Sequence, residues 1–210
     1  VVAGVPHYVP NDAVETDAYR RPVRLAGGVA NGASVKAGEV LWSGVVISGD
    51  FVFVNRWKWN FSHPTRGEIM VFSTTGIQAL MQGTHYIKRM TGLPNETLQI
   101  KAPNLLINGE VVTHPPRMEQ IARCETVWPG HPAYAGFNPS GTRQVYFPGQ
   151  SLATEQDRVT LKADEYYAMG DNSFNSFDSR YWGPVPERNL LGPATVVYWP
   201  FTSPRFGRIR

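Results

Sequence analysis

The sequence predicts a mostly β protein, and three features support this prediction. The chain of 210 residues contains 20 glycines and 17 prolines, which interrupt long helices and favour short strands joined by turns. Several short segments alternate apolar and polar side chains, which is the period of a β-strand. The dipeptide Asn108-Gly109 lies between two apolar runs and is the strongest hairpin signal in the chain. Antiparallel strands are therefore expected.

The elements are predicted in the following order along the chain. Residues 1 to about 40 are predicted to be irregular, because they contain several prolines and few apolar repeats. Strands then follow at GDFVFVN (49–55), RGEIMVFS (66–73), HYIKRM (85–90), ETLQI (96–100) and on both sides of the Asn108-Gly109 turn. A loop-rich excursion comes next, with one short helix at MEQIARC (118–124). The last strands are expected at DRVTLK (157–162), EYYAMG (165–170) and ATVVYW (194–199).

This order indicates one β core that is interrupted once. We expect residues 41–103 and 159–210 to form the core, and residues 104–158 to form an inserted subdomain. The segment 1–40 is interpreted as a further insertion. The chain begins at Val1 without a methionine and has no apolar run of the ~18–20 residues that cross a membrane. We therefore expect that the natural N-terminus lies upstream.

Composition argues against several classes of function. The formal charge is +3 and the sequence pI about 9.1, without the clustered basic run of a dedicated nucleic-acid binder, so no nucleic-acid partner is expected. The five histidines are isolated and Cys124 is the single cysteine, so a zinc site is not predicted. No phosphate-binding glycine motif occurs, and we expect no cofactor.

Lys88 occupies an unusual position in the predicted strand HYIKRM. Side chains alternate along a strand, so Lys88 shares a face with Tyr86 and Met90, while Ile87 and Arg89 lie on the other face. A lysine between apolar neighbours can extend its ammonium group into water. Alternatively, the amine is buried, neutral and chemically active, because burial disfavours the charged form. The residues alone leave both interpretations open.

The segment GDNSFNSFDSRYWG (170–183) places many polar side chains directly after a predicted apolar strand. Loops held by a rigid strand often carry function, although a structural turn would use the same residue types. Ser176 is a suitable neutral hydrogen-bond partner for an uncharged Lys88, because a carboxylate there would raise the lysine pKa. Asp178 is expected to pair with Arg180, and Asp171 with Arg89.

Four segments in this order resemble the successive motifs of type I signal peptidases: GDFVFVN, RGEIMVF, YIKRMTGLP and YYAMGDNSFNSFDSRYWGPVP. The resemblance implies a twisted antiparallel β core and a membrane-anchored serine endopeptidase of the Ser/Lys type. Such enzymes remove signal peptides from exported preproteins after small residues, on the outer face of the cytoplasmic membrane. By position, Lys88 matches the general base and Ser176 the hydroxyl that orients it. The two ion pairs match supporting pairs of the family.

The nucleophilic serine is the point at which the sequence departs from this family. The family has a serine followed by methionine shortly before the Gly-Asp strand, whereas this chain has GEVLWSGVVISGD. Three explanations remain open. The serine lies upstream of Val1, Ser43 serves in a divergent motif, or the protein is an inactive homologue that binds peptides at a membrane surface. A related self-cleaving repressor would need a DNA-binding helical domain, and the sequence predicts none.

Aromatic side chains surround the first predicted core strand. The segment FVFVNRWKWNF (51–61) alternates phenylalanine and tryptophan with Arg56 and Lys58. Such a pattern is typical of a lipid interface, where rings and cations both find partners. Ordinary sheet packing would also explain it, and a platform for single-stranded nucleic acid is a third, weaker interpretation. A membrane lipid surface is therefore an expected partner.

Overall fold

The computed structural model describes residues 14–16, 22–25, 34, 36, 50–126, 133–141, 150–201, 203 and 205–209. The chain divides into two compact units, Val1–Gly49 and Asp50–Arg210. The described part of the first unit contains two short strands, β1 (Val14–Thr16) and β2 (Pro22–Leu25), which pair antiparallel. The prediction of irregular structure is wrong for these residues. Strands of this length are too short for an alternating pattern to reveal them.

The second unit contains most of the described strands and helices. In chain order these are β3 (Phe51–Val54), α1 (Lys58–Phe61), β4 (Ile69–Ser73), β5 (His85–Gly92), β6 (Thr97–Lys101), β7 (Asn104–Ile107), β8 (Glu110–Val111), α2 (Pro116–Ala122), β9 (Arg158–Thr160), β10 (Glu165–Met169), α3 (Ser179–Trp182), β11 (Val185–Pro186), β12 (Leu190–Trp199) and β13 (Gly207–Arg208). Short 3₁₀ turns lie at Ser173–Asn175 and Glu187–Asn189.

These strands form two antiparallel sheets. The larger has the order β11-β10-β5-β4-β12-β13, with β3 pairing to β12 as a seventh strand. The smaller has the order β8-β7-β6-β9. The predicted mostly β class with antiparallel sheets is therefore confirmed, as are the strands predicted between residues 49 and 199.

The hairpin predicted at Asn108-Gly109 joins β7 to β8. Both residues have positive φ angles, 53° for Asn108 and 89° for Gly109, which suits a tight two-residue turn. The smaller sheet contains β6, from the predicted core, and β7, from the predicted excursion. The division into core and inserted subdomain stays a prediction.

Strand β10 connects two hydrophobic clusters. Tyr166 and Ala168 belong to one cluster with Met70, Phe72 and Met90 from the larger sheet. Tyr167 and Met169 face the other cluster, which lies beneath the smaller sheet. Because successive side chains of a strand point to opposite faces, β10 is buried on both sides. The loop that follows β10 therefore begins from a fixed point.

The helices of the described residues are short. The longest, α2, has seven residues, and none of the described helices has the length and apolar character needed to cross a bilayer.

Candidate active site

The pairing of β5 with β10 brings the predicted site residues together. Arg89 of β5 lies opposite Met169, the last residue of β10. Lys88 is therefore one residue away from the point at which the polar segment 170–183 leaves the sheet. We call this segment the 170–183 loop. In this loop a 3₁₀ turn precedes Ser176 and α3 follows it, and Ser176 lies against Lys88 of β5.

The Lys88 ammonium nitrogen donates a hydrogen bond to the Ser176 hydroxyl at an Nζ–Oγ distance of 3.2 Å. Ser176 is buried and Lys88 is partly buried. Burial lowers the pKa of Lys88 below its ordinary value, and the nearby Arg180 charge lowers it further. The carboxylates of Asp178 and Asp171 act in the opposite direction but do not overcome the effect of burial. The lysine is thus disposed to lose its proton more readily than an exposed lysine.

Gly170 makes room for the Ser176 side chain. A Cβ atom at position 170 would lie 2.2 Å from the Ser176 oxygen and 2.6 Å from its Cβ, well inside van der Waals contact. The peptide N–H of Gly170 donates to Asp178 at 3.0 Å. Glycine at this position therefore lets the loop approach the strand closely enough for Ser176 to reach Lys88.

Asp178 and Arg180 form a fully buried ion pair. The guanidinium Nε donates to Asp178 Oδ1 at 2.8 Å, and a terminal guanidinium nitrogen donates to Oδ2 at 2.8 Å. Both side chains have 0% relative exposure. Asp178 also accepts from the backbone N–H of Arg180, as the N-cap of α3. This pair fixes the shape of the loop that carries Ser176.

Arg89 and Asp171 form a second, bidentate pair. The two distances are 2.6 Å from Nε to Oδ1 and 2.7 Å from a terminal nitrogen to Oδ2. The remaining terminal nitrogen of Arg89 donates to the Gly67 carbonyl at 2.6 Å. Arg89 is buried, and Asp171 is more exposed. Each of the two loop carboxylates near Lys88 is thus bound by its own guanidinium.

The structure brings together Lys88, Ser176, Asp178, Arg180, Asp171 and Arg89, while their roles in catalysis stay predictions. Ser43 lies outside the described residues, so the position of the nucleophile also stays a prediction. Within the described residues, no group of three His, Cys, Asp or Glu side chains is placed to hold a metal ion.

Sequence reasoning assigned no role to three residues that contribute to this site. Ser179 accepts a hydrogen bond from the backbone N–H of Ala168 at 3.0 Å and ties α3 to β10. The Asn138 backbone carbonyl accepts a hydrogen bond from Arg180, and the Asn138 side-chain amide donates to the Ser173 hydroxyl. Asn138 lies more than thirty residues before the loop, and no local pattern in the sequence links the two segments. Ser173 lies within the 170–183 loop, so its position was a signal that could have identified it as a candidate.

Lysine is one of the side chains that serve as general bases in hydrolases when their pKa is lowered, and burial lowers the pKa of Lys88 on this antiparallel β scaffold. Residues 43–199 match the sequence profile of the family described as signal peptidase, peptidase S26. The chain belongs to this signal peptidase family, which confirms the resemblance drawn from its motifs.

Two curated relatives agree with this assignment. The chain is 32% identical to signal peptidase I of Leptolyngbya laminosa over 156 residues, which cover 72% of this chain and 61% of that protein. It is 31% identical to a probable signal peptidase I-2 of Synechocystis sp. over 159 residues, covering 75% and 58% respectively. A solved signal peptidase I of Enterococcus faecalis V583 is 25% identical and covers 64% of this chain and 98% of its own, with a TM-score of 0.42. The chain spans about three fifths of the length of the two curated relatives, from Leptolyngbya laminosa and Synechocystis sp..

Proposed function

We propose that the protein is a serine endopeptidase that removes signal peptides from exported preproteins after small residues. The observation that supports this most strongly is the Lys88–Ser176 hydrogen bond in a setting that lowers the lysine pKa. A serine hydroxyl is a weak nucleophile and needs a base whose pKa is close to the working pH. Membership of the signal peptidase family supplies the substrate class.

In the proposed mechanism neutral Lys88 accepts the proton of the nucleophilic serine, whose position in the chain stays a prediction. The serine oxygen attacks the scissile carbonyl carbon, and backbone N–H groups stabilise the oxyanion. Lys88 then delivers the proton to the leaving amine as the C–N bond breaks and an acyl-enzyme forms. Water hydrolyses the ester and regenerates the serine. Ser176 keeps the lysine nitrogen oriented throughout.

A cleavage assay on the full-length natural protein tests this proposal. We expect an exported preprotein to be cut at one bond after a small residue, as read by N-terminal sequencing of the product. The value of kcat/KM should rise with pH along a limb whose midpoint lies below the ordinary lysine pKa, because only the neutral amine is a base. If the full-length protein cuts no preprotein at any pH, the inactive peptide-binding homologue becomes the better explanation.

A lipid surface is the second proposed partner, and it rests on a set of exposed aromatic side chains that we call the aromatic patch. Its members are Phe51, Phe53, Trp57, Phe61, Tyr198, Trp199, Phe201 and Phe206, each at least 46% exposed. Ring contacts join Phe51 to Tyr198 at 6.1 Å and Trp199 to Phe201 at 5.0 Å. Phe53, Trp57 and Phe61 line one cavity at the surface of the unit.

Not every aromatic residue of segment 51–61 belongs to this patch. Trp59 packs against a hydrophobic cluster, and its indole N–H donates to Glu68 at 3.2 Å. Sheet packing therefore explains Trp59, while its neighbours Trp57 and Phe61 are 76% and 86% exposed. Soluble monomers rarely expose so many adjacent rings without a partner. We propose that the patch rests on the outer face of the cytoplasmic membrane, where the catalytic region would meet its substrates.

The double change Trp57→Ser and Phe61→Ser should weaken binding of this chain to phospholipid vesicles about tenfold or more, because each exposed ring loses apolar contact worth ~1–2 kcal/mol. Sedimentation with vesicles measures the bound fraction. Met81→Ser is the matched control, since Met81 is 73% exposed and outside the patch. Equal vesicle binding by the wild type and the double variant would contradict a membrane role for these rings.

A further inference from the structure

Residues 133–141, which we call the clamp segment, are anchored to the smaller sheet and its surroundings. The Phe137 N–H donates to the Pro103 carbonyl at 2.9 Å, and the Phe137 side chain is 1% exposed within a hydrophobic cluster. The Ser140 N–H donates to the Leu152 carbonyl, also at 2.9 Å. The clamp segment is thus held at a fixed position even though it has no regular secondary structure.

From this fixed position, Asn138 reaches the 170–183 loop by two routes. Its backbone carbonyl accepts a hydrogen bond from Arg180 at 2.6 Å. Its side-chain amide donates to the Ser173 hydroxyl at 2.9 Å, and that hydroxyl donates to the Gly136 carbonyl at 2.7 Å. Ser173 is 3% exposed. The side chains of Asn138 and Ser173 therefore join the clamp segment directly to the loop.

The Arg180 guanidinium links both of these residues to Ser176. The Arg180 guanidinium contacts the Asp178 carboxylate and the carbonyls of Asn138, Ser173 and Ser176, the last two at 2.8 and 3.4 Å. A buried guanidinium requires acceptors for all of its N–H groups, and removing one is costly. A shift of the clamp segment would therefore move Arg180. Because the Arg180 guanidinium contacts the Ser176 carbonyl, Ser176 would move with it.

We propose that Asn138 and Ser173 are positioning residues that hold Ser176 against Lys88 and keep water away from the lysine amine. This inference rests on the proposed function, because it assigns a role in the same Ser/Lys site. It also gives a role to residues 133–141, which lie in the predicted excursion. That excursion then supplies part of the support for catalysis.

The test combines Asn138→Ala and Ser173→Ala with two readouts in the full-length protein. NMR of labelled lysine side chains follows the titration of Lys88, and a cleavage assay gives the pH profile of kcat/KM. Loosening the loop admits water and separates Arg180 from Lys88, and both changes raise the lysine pKa. We expect both variants to shift the Lys88 titration and the pH midpoint upward and to lower kcat/KM at neutral pH about tenfold, within the usual effect of a general base.

Gln99→Ala is the matched control. The Gln99 side chain donates to the Glu155 carbonyl at 2.7 Å, so it joins the smaller sheet to the excursion without contacting the 170–183 loop. Its removal should leave the Lys88 titration unchanged. If folded Asn138→Ala and Ser173→Ala both keep the wild-type titration of Lys88, the positioning role is refuted. Because the NMR readout needs no substrate, it decides the matter even if the protein cleaves no preprotein.

Discussion

Lys88→Met is expected to lower kcat/KM for preprotein cleavage by the full-length protein about 10³-fold or more. General bases contribute ~10²–10⁴-fold, and a nucleophilic serine without its base is close to inert. Methionine keeps the unbranched apolar stem and removes the amine, so the packing beside Tyr86 and Met90 is retained. Lys88→Ala should have the same kinetic effect with a small loss of packing. Initial rates across a pH series measure the change.

Lys101→Met is the control for this substitution, because Lys101 is an exposed strand lysine outside the site. It should cleave at the wild-type rate. If Lys88→Met kept full activity, Lys88 would not be the general base. The family membership would then be the only remaining support for the proposed function.

The same variant has a stability signature that is independent of substrate. The pKa of Lys88 is lower in the folded chain than in the unfolded chain. At a pH between these two pKa values, the unfolded chain therefore binds more protons than the folded chain. The free energy of unfolding of the wild type should therefore rise with pH across that window. Lys88→Met should lose this contribution to the rise, as measured by denaturant unfolding at several pH values. An unchanged slope would indicate that Lys88 titrates normally.

The electrostatics of the site explain why two nearby carboxylates do not return the pKa of Lys88 to its ordinary value. Asp178 and Asp171 both raise the pKa of Lys88, and each is engaged by an arginine in a two-point contact. Arg180 carries its own positive charge toward Lys88 and opposes protonation. Burial then determines the direction of the shift. The two ion pairs thus stabilise the loop, and their carboxylates are bound by Arg89 and Arg180 rather than by Lys88.

Local patterns in the sequence predicted much of this arrangement. The alternation around Lys88 predicted the strand, and the requirement for a neutral partner predicted Ser176 as the residue that meets it. The short spacing of Asp178 and Arg180 predicted their contact, because both lie in one tight loop. The Asn108-Gly109 turn was predicted from the φ angles that these residues tolerate.

Contacts between distant segments could not be predicted in this way. Asn138 reaches Arg180 only because Phe137 is fixed in the hydrophobic cluster beneath the smaller sheet. Gly170 matters because Ser176 folds back against it, which depends on the path of the whole loop. The pair β1 and β2 escaped detection because three- and four-residue strands carry too little pattern.

Arg180→Ala is expected to reduce the free energy of unfolding by about 3–5 kcal/mol, the usual cost of removing one partner of a buried ion pair. Asp178 would remain at 0% exposure without its guanidinium partner, and the carbonyls of Asn138 and Ser173 would lose a donor. Denaturant unfolding measures the loss.

The pair Arg123–Glu119 provides the matched control, because it is an ion pair on α2 whose side chains are 65% and 37% exposed. Arg123→Ala should cost no more than about 0.5–1 kcal/mol, since solvent screens exposed pairs. The double variant Asp178→Ala with Arg180→Ala should lose less than the sum of the two single variants, because no lone charge then remains buried. If Arg180→Ala costs no more than Arg123→Ala, the buried pair does not stabilise the loop, and Ser176 must be held in place by other contacts.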